Sequence, residues 1–113
     1  MKKVIATSEA PKAVGPYSQA IEVNGTLYIS GQIPVNPADG TVQEEITAAA
    51  HQSLKNIGAI LREAGMTYDN VVKTTVLLAD IADFKAVNEV YAEYFTGDKP
   101  ARACYQAAAL PLG

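Results

Sequence analysis

The chain has 113 residues, a formal net charge of −3, a pI near 5.0, one cysteine and one histidine. That length holds one domain. The single cysteine excludes an internal disulfide, the single histidine excludes the usual His/Cys metal cages, and the lack of a basic stripe disfavours backbone-driven nucleic-acid binding. Val, Ile, Leu and Phe number 27 against 19 alanines. That is a lean core for this length, so part of the burial is expected between subunits.

Lys3 to Ala6 reads as a first short strand. Three apolar residues after Met1-Lys2-Lys3 are too few for a signal segment, and no run approaches the roughly 18 needed to span a bilayer. With a free thiol, this gives the expectation of a cytoplasmic protein. Ala10 to Pro16 is a loop, closed off by two prolines and a glycine. Ser18 to Val23 and Thr26 to Val35 read as strands joined by Asn24-Gly25, because a type I′ turn needs positive φ at both central residues. Ile46 to Ala64 is a helix: Ala50, Leu54, Ile57, Leu61 and Ala64 recur at helical spacing, and Gly65 sits at the expected left-handed cap. Asn70 to Ala79 is a β-branched strand. Asp80 is the expected N-cap of a second helix with the stripe Phe84, Val87, Val90, Tyr91, Tyr94 and Phe95. Thr96 to Pro100 stops it, and Arg102 to Leu110 reads as a last strand. The order β-β-β-α-β-α-β predicts an α+β sheet with two helices on one face and a partner copy on the other.

Arg102, Cys104 and Gln106 share one face of the last strand by period-two alternation. An arginine among small residues needs a partner. Either an Asp or Glu pairs with it, or its planar fork awaits a carboxylate ligand. Cys104 is either a small buried hydrophobe or the wall of an anionic pocket. Gly31 interrupts a strand beside Ser30, which marks a bulge or a close approach to the backbone. Tyr17 follows Gly15-Pro16 and either packs or hydrogen-bonds a ligand. Asn88 lies mid-helix, where asparagine has poor propensity. His51 has no nucleophile or carboxylate at suggestive spacing and reads as structural or solvated. Phosphate-loop and nucleophile-elbow patterns are absent.

The order of short motifs says more. Ala10-Pro11 with Gly15-Pro16-Tyr17-Ser18-Gln19-Ala20 resembles the opening of the RidA/YjgF family of reactive-intermediate deaminases. Leu27-Tyr28-Ile29-Ser30-Gly31-Gln32-Ile33-Pro34, Val71 to Val76, Asp83-Phe84 with Val87 to Tyr91, and Pro100-Ala101-Arg102-Ala103-Cys104 continue the likeness along the whole chain. The resemblance implies a chorismate-mutase-like, YjgF-like fold in a trimeric, barrel-like assembly with clefts between subunits. It implies hydrolysis of 2-enamine and 2-imine acids, such as 2-iminobutanoate and 2-iminopropanoate, to 2-oxo acids and ammonia, with no cofactor or metal. Its implied catalytic candidates are Arg102, Tyr17 and Cys104, with Arg102, Ser30, Gly31 and Asn88 binding substrate. Small carboxylates are the expected ligands, the homotrimer the expected partner, and nucleic acid and membrane are not expected.

The family normally continues past a Leu-Pro motif into a further strand bearing a water-orienting glutamate. Here Leu110-Pro111-Leu112-Gly113 follows the last strand, so residues 1–113 read as a single domain lacking that strand. Either the chain is cut short relative to the native product, the favoured reading, or it is a true 113-residue protein that has lost the strand and its glutamate. Two other readings stay open. One is an endoribonuclease, an activity also attached to the family. The other is a non-catalytic 2-oxo-acid-binding regulatory module.

Overall fold

The computed structural model describes residues 1–113. Its strands are β1 (Lys3–Ile5), β2 (Ala20–Val23), β3 (Thr26–Ile29), β4 (Lys73–Leu78) and β5 (Ala101–Gln106), and its helices α1 (Ile46–Glu63) and α2 (Phe84–Tyr94). Single 3₁₀ turns at Tyr68–Asn70 and Ile81–Asp83 precede β4 and α2. The predicted order holds, with several strands shorter than expected.

The β2–β3 turn forms as its residues require, with φ of 51° at Asn24 and 78° at Gly25. The α1 boundaries are equally local in origin. The Glu45 carboxylate accepts from the Ala48 amide at 2.8 Å, and Gly65 takes a φ of 75° just beyond the helix. At the other helix Asp80 caps the 3₁₀ turn rather than α2 itself, accepting from the Ala82 amide at 2.9 Å.

The expected single sheet is instead two. β1, β2 and β3 form an antiparallel sheet, and β4 and β5 form a separate parallel pair joined by the α2 crossover. The strand expected to run from Thr26 to Val35 ends at Ile29. Beyond it the backbone finds other partners: the Ser30 amide donates to the Gln19 carbonyl, and the Ile33 and Val35 carbonyls accept from the Asn56 side chain. Only one isolated bridge, Val35 to Val42, remains of ladder pairing there. Likewise β5 stops at Gln106, not Leu110, and β4 starts at Lys73, not Asn70, because Tyr68–Asn70 is held as a 3₁₀ turn by a Thr67/Asn70 capping box.

Helix α1 backs both sheets. Ala59 and Ile60 bury against Ile5, Ala10 and Ala20, while Leu54 joins Val90, Tyr91 and Phe95 of the α2 region. Gly58 lets Tyr68 lie across α1 and donate to the Leu54 carbonyl at 2.6 Å; a Cβ there would fall on the Tyr68 hydroxyl. Burial raises that hydroxyl's pKa to about 12, with Tyr94 adding to the effect. Only 15 of 113 residues are buried, and the sheet faces turned away from the helices carry exposed Val4, Tyr28, Leu77 and Tyr105. Registers Val4–Ile21–Tyr28 and Leu77–Tyr105 align these side chains into apolar rows across each sheet. No helix is long and apolar enough to cross a membrane.

Candidate functional site

The parallel register places Arg102 of β5 opposite Thr74 of β4, with both side chains facing α2. Helix α2 presents Phe84, Asn88 and Tyr91 at spacings of four and three, which is one face. All three meet Arg102. Its Nη1 donates to Asn88 Oδ1 at 2.8 Å. Its guanidinium carbon lies 4.9 Å from the Tyr91 ring centroid and 5.5 Å from that of Phe84. Tyr91 is in turn fixed by a 2.7 Å hydrogen bond between its hydroxyl and that of Thr74. The β5–α2 spacing is set at the strand's end, where Gln106 Oε1 accepts from the Ile81 amide at 2.9 Å.

Of the two readings of Arg102, the acidic partner is absent. No carboxylate lies within ion-pair distance of Arg102, and the one contact of that kind in the chain, His51 Nε2 to the Glu93 carboxylate at 3.9 Å, is elsewhere. A guanidinium has five N–H donors, and only one is engaged, by a neutral amide. A half-buried cation held between aromatic rings with unused donors is suited to a planar carboxylate. Cys104, two residues on, shares its face as expected and is a half-buried free thiol.

Tyr17, Ser30 and Gly31 form a second group, at the other sheet. The buried side chain of Gln19 organises their loop. It donates to the carbonyls of Thr7, Ala10 and Pro11 and accepts from the Thr7 amide at 2.7 Å. Ser30 is stapled to that loop by its hydroxyl, which donates to the Ser18 carbonyl at 2.6 Å. Tyr17 is 49% exposed, and its hydroxyl accepts only a 3.3 Å bond from the Val14 amide. Gly31 is exposed in the segment after β3, so it is neither a bulge nor an interruption of a strand, and space surrounds it on the Cβ side. No hydrogen bond joins this group to Arg102, Asn88 and Cys104 within one chain.

His51 lies apart from both groups. Its Nδ1 is 2.8 Å from the Tyr94 hydroxyl and its Nε2 3.9 Å from the Glu93 carboxylate. Two open grooves of about 510 and 520 Å³ run along α1 beside Asn36, Gln52, Lys55 and Tyr94, and none of the predicted site residues lines them. No three His, Cys, Asp or Glu side chains gather as metal ligands do.

Sequence reasoning missed the parts played by Gln19, Asn56, Thr74, Phe84 and Tyr91. For the last two a signal existed. Asn88 sits between them on one helix face, and a polar group inside an apolar stripe requires a partner.

Three comparisons bear on this arrangement. The sequence model described as endoribonuclease L-PSP matches residues 7–113. The 2-iminobutanoate/2-iminopropanoate deaminase of Mus musculus is 56% identical over 114 residues, covering all of this chain and 84% of the mouse protein. Among solved structures, the Rid-family protein YyfA of Yersinia pestis superposes with a TM-score of 0.96 at 50% identity, over 98% of this chain and 90% of its own. The Escherichia coli protein TdcF, crystallised with bound serine, gives 0.93 at 39% identity, over 96% and 88%.

Proposed function

The chain belongs to the RidA/YjgF family, the one described as endoribonuclease L-PSP, and on that premise we propose that it hydrolyses reactive 2-imino acids such as 2-iminobutanoate and 2-iminopropanoate. Water adds across the C=N bond, ammonia leaves, and a 2-oxo acid remains. The observation that carries the reading is the guanidinium of Arg102, clamped by Asn88 and the two rings with its remaining N–H groups unpaired. A bidentate grip on the substrate carboxylate fixes one end of a small planar molecule. The imine carbon is then held in one place for water to attack, and that orientation supplies much of the acceleration.

The roles of the other residues complete the proposal. Ser30, the backbone at Gly31 and Tyr17 position the imine end and carry protons, and Cys104 shapes the wall beside Arg102. The two groups lie on separate sheets with no hydrogen bond between them, and the homotrimer that the family resemblance implies would bring them together in clefts between subunits. The exposed apolar rows on both sheets support such packing. The serine held by TdcF is likewise a small amino-acid carboxylate. The endoribonuclease reading has less support, since the net charge of −3 offers no phosphate-tracking surface.

The test is hydrolysis of freshly generated 2-iminobutanoate, with oligomer size measured by light scattering on the same samples. Arg102→Lys keeps the charge and loses the fork. Turnover should fall about 30- to 1,000-fold, equivalent to roughly 2–4 kcal/mol of transition-state stabilisation, in an oligomer of unchanged size. Parent-like kinetics in Arg102→Lys would overturn the carboxylate anchor, and a parent chain without imine hydrolysis would overturn the deaminase reading.

A further inference from the structure

The residues around Arg102 divide by what they offer it. Asn88 gives a single hydrogen bond to one terminal nitrogen, which stops translation but leaves the guanidinium plane free to turn about that contact. Two aromatic rings restrict that rotation. Tyr91 lies 4.9 Å from the guanidinium carbon and Phe84 5.5 Å, both within the range in which a cation is held by a ring face. They stand seven residues apart, two turns of one helix, with Asn88 between them. The Tyr91 ring is itself held on several sides. It is 8% exposed, contacts the Phe95 ring at 4.5 Å, and ties its hydroxyl to Thr74 on the strand that pairs with β5. Phe84 is different: it is 39% exposed and forms the solvent-side member of the pair.

From this we propose that Phe84 and Tyr91 are positioning residues for Arg102, an aromatic platform that fixes the plane in which the guanidinium presents its free N–H groups. The inference rests on the carboxylate-anchor reading above and deepens it. Neither ring is assigned contact with substrate. A guanidinium free to swing meets a carboxylate with one N–H at a time, whereas one held in plane meets it with two parallel bonds. Ordering Arg102 in advance also removes an entropic cost that would otherwise fall on each binding event. The residues that read as ordinary core positions of α2 thus act on the chemistry through Arg102. Thr74 secures the deeper ring from the neighbouring strand.

The experiment measures kcat and KM for 2-iminobutanoate hydrolysis in Tyr91→Phe, Tyr91→Leu and Phe84→Leu, each made in the parent chain and in an Arg102→Gln background. Oligomer size and thermal midpoint are recorded for every sample. In the parent, Tyr91→Leu and Phe84→Leu should each lower kcat/KM by about three- to thirty-fold, mainly through a raised KM. Tyr91→Phe keeps the ring and should recover most of the activity. In the Arg102→Gln background the same leucine changes should cost less than about two-fold, because the group they position is gone. Phe84→Leu guards against a folding artefact, since an exposed ring can be lost without collapsing the core. Equal losses in both backgrounds would overturn the platform while leaving the anchor standing. A parent-like Arg102→Gln enzyme would overturn the anchor, and the platform with it.

Discussion

Replacing Asn56 by alanine tests whether one buried amide holds the segment that follows β3. Asn56 is 1% exposed, yet it is fully partnered. Its Nδ2 donates to the Ile33 carbonyl at 3.2 Å and the Val35 carbonyl at 3.0 Å, and its Oδ1 accepts from Gln52 at 2.9 Å. The Ile33 carbonyl also accepts from the Val35 amide at 2.8 Å, so alanine costs it one bond of two. The Val35 carbonyl loses its only partner. Two lost bonds at about 1 kcal/mol each, plus about 1 kcal/mol for an orphaned carbonyl, predict a loss of roughly 2–4 kcal/mol. Gln52 is partly exposed and re-pairs with water, so it adds little. The assay is urea unfolding at one fixed protein concentration, so that the proposed subunit association would weigh equally on every sample. Asn56→Asp should cost at least as much, since it loses both donors and turns carboxylate oxygens toward two carbonyls. A loss below about 0.5 kcal/mol in Asn56→Ala, or a parent-like Asn56→Asp, would refute the argument.

Two further outcomes follow from side chains outside the site. Burial raises the Tyr68 hydroxyl from its ordinary value of 10 to about 12, so between those pH values the unfolded chain ionises there while the folded chain does not. Stability should therefore fall as pH rises from 10 towards 12, with no contribution below 10. Urea midpoints of Tyr68→Phe at pH 9, 10 and 11 should decline less steeply than the parent's, and identical slopes would count against it. His51 engages Tyr94 through Nδ1 and makes no hydrogen bond to any residue of the candidate site, so His51→Gln should leave imine turnover within a few-fold. A thousandfold loss, about 4 kcal/mol, would reinstate it as a proton-transfer group.

Legibility in this chain follows the range of the interactions involved. The Asn24-Gly25 turn and the Gly65 cap were readable because positive φ is a property of one or two residues. The α1 stripe was readable because its period survives in the sequence. Residues 30–35 looked like strand because Ile33 and Val35 alternate, but their carbonyls are claimed by Asn56, 21 and 23 residues away. No local pattern announces that competition. The same holds for the two sheets, since whether β3 meets β4 is decided by where residues 30–35 turn. At the site, the shared face of Arg102 and Cys104 followed from period two alone. Of its companions on α2, Phe84 and Tyr91 carry the same signature whether they bury against leucine or hold a cation, and only Asn88 between them marked that face.

The crossover from β4 through α2 to β5 makes some of its connections far less forgiving of length than others. The Asp80 cap and the bond from the Ile81 amide to Gln106 fix where α2 begins relative to β5. One residue inserted between Ile81 and Phe84, after that anchor, would shift the helical register by one position, about 100° of rotation. Phe84, Asn88 and Tyr91 would leave Arg102 together, because they share a face. An insertion at Thr96–Pro100 lies after the helix and leaves its rotation unchanged, so the added residue can loop into solvent while β5 keeps its pairing with β4. Sequence-length variation among relatives should accumulate after α2 and be purged before it, even though both segments are surface turns of similar size.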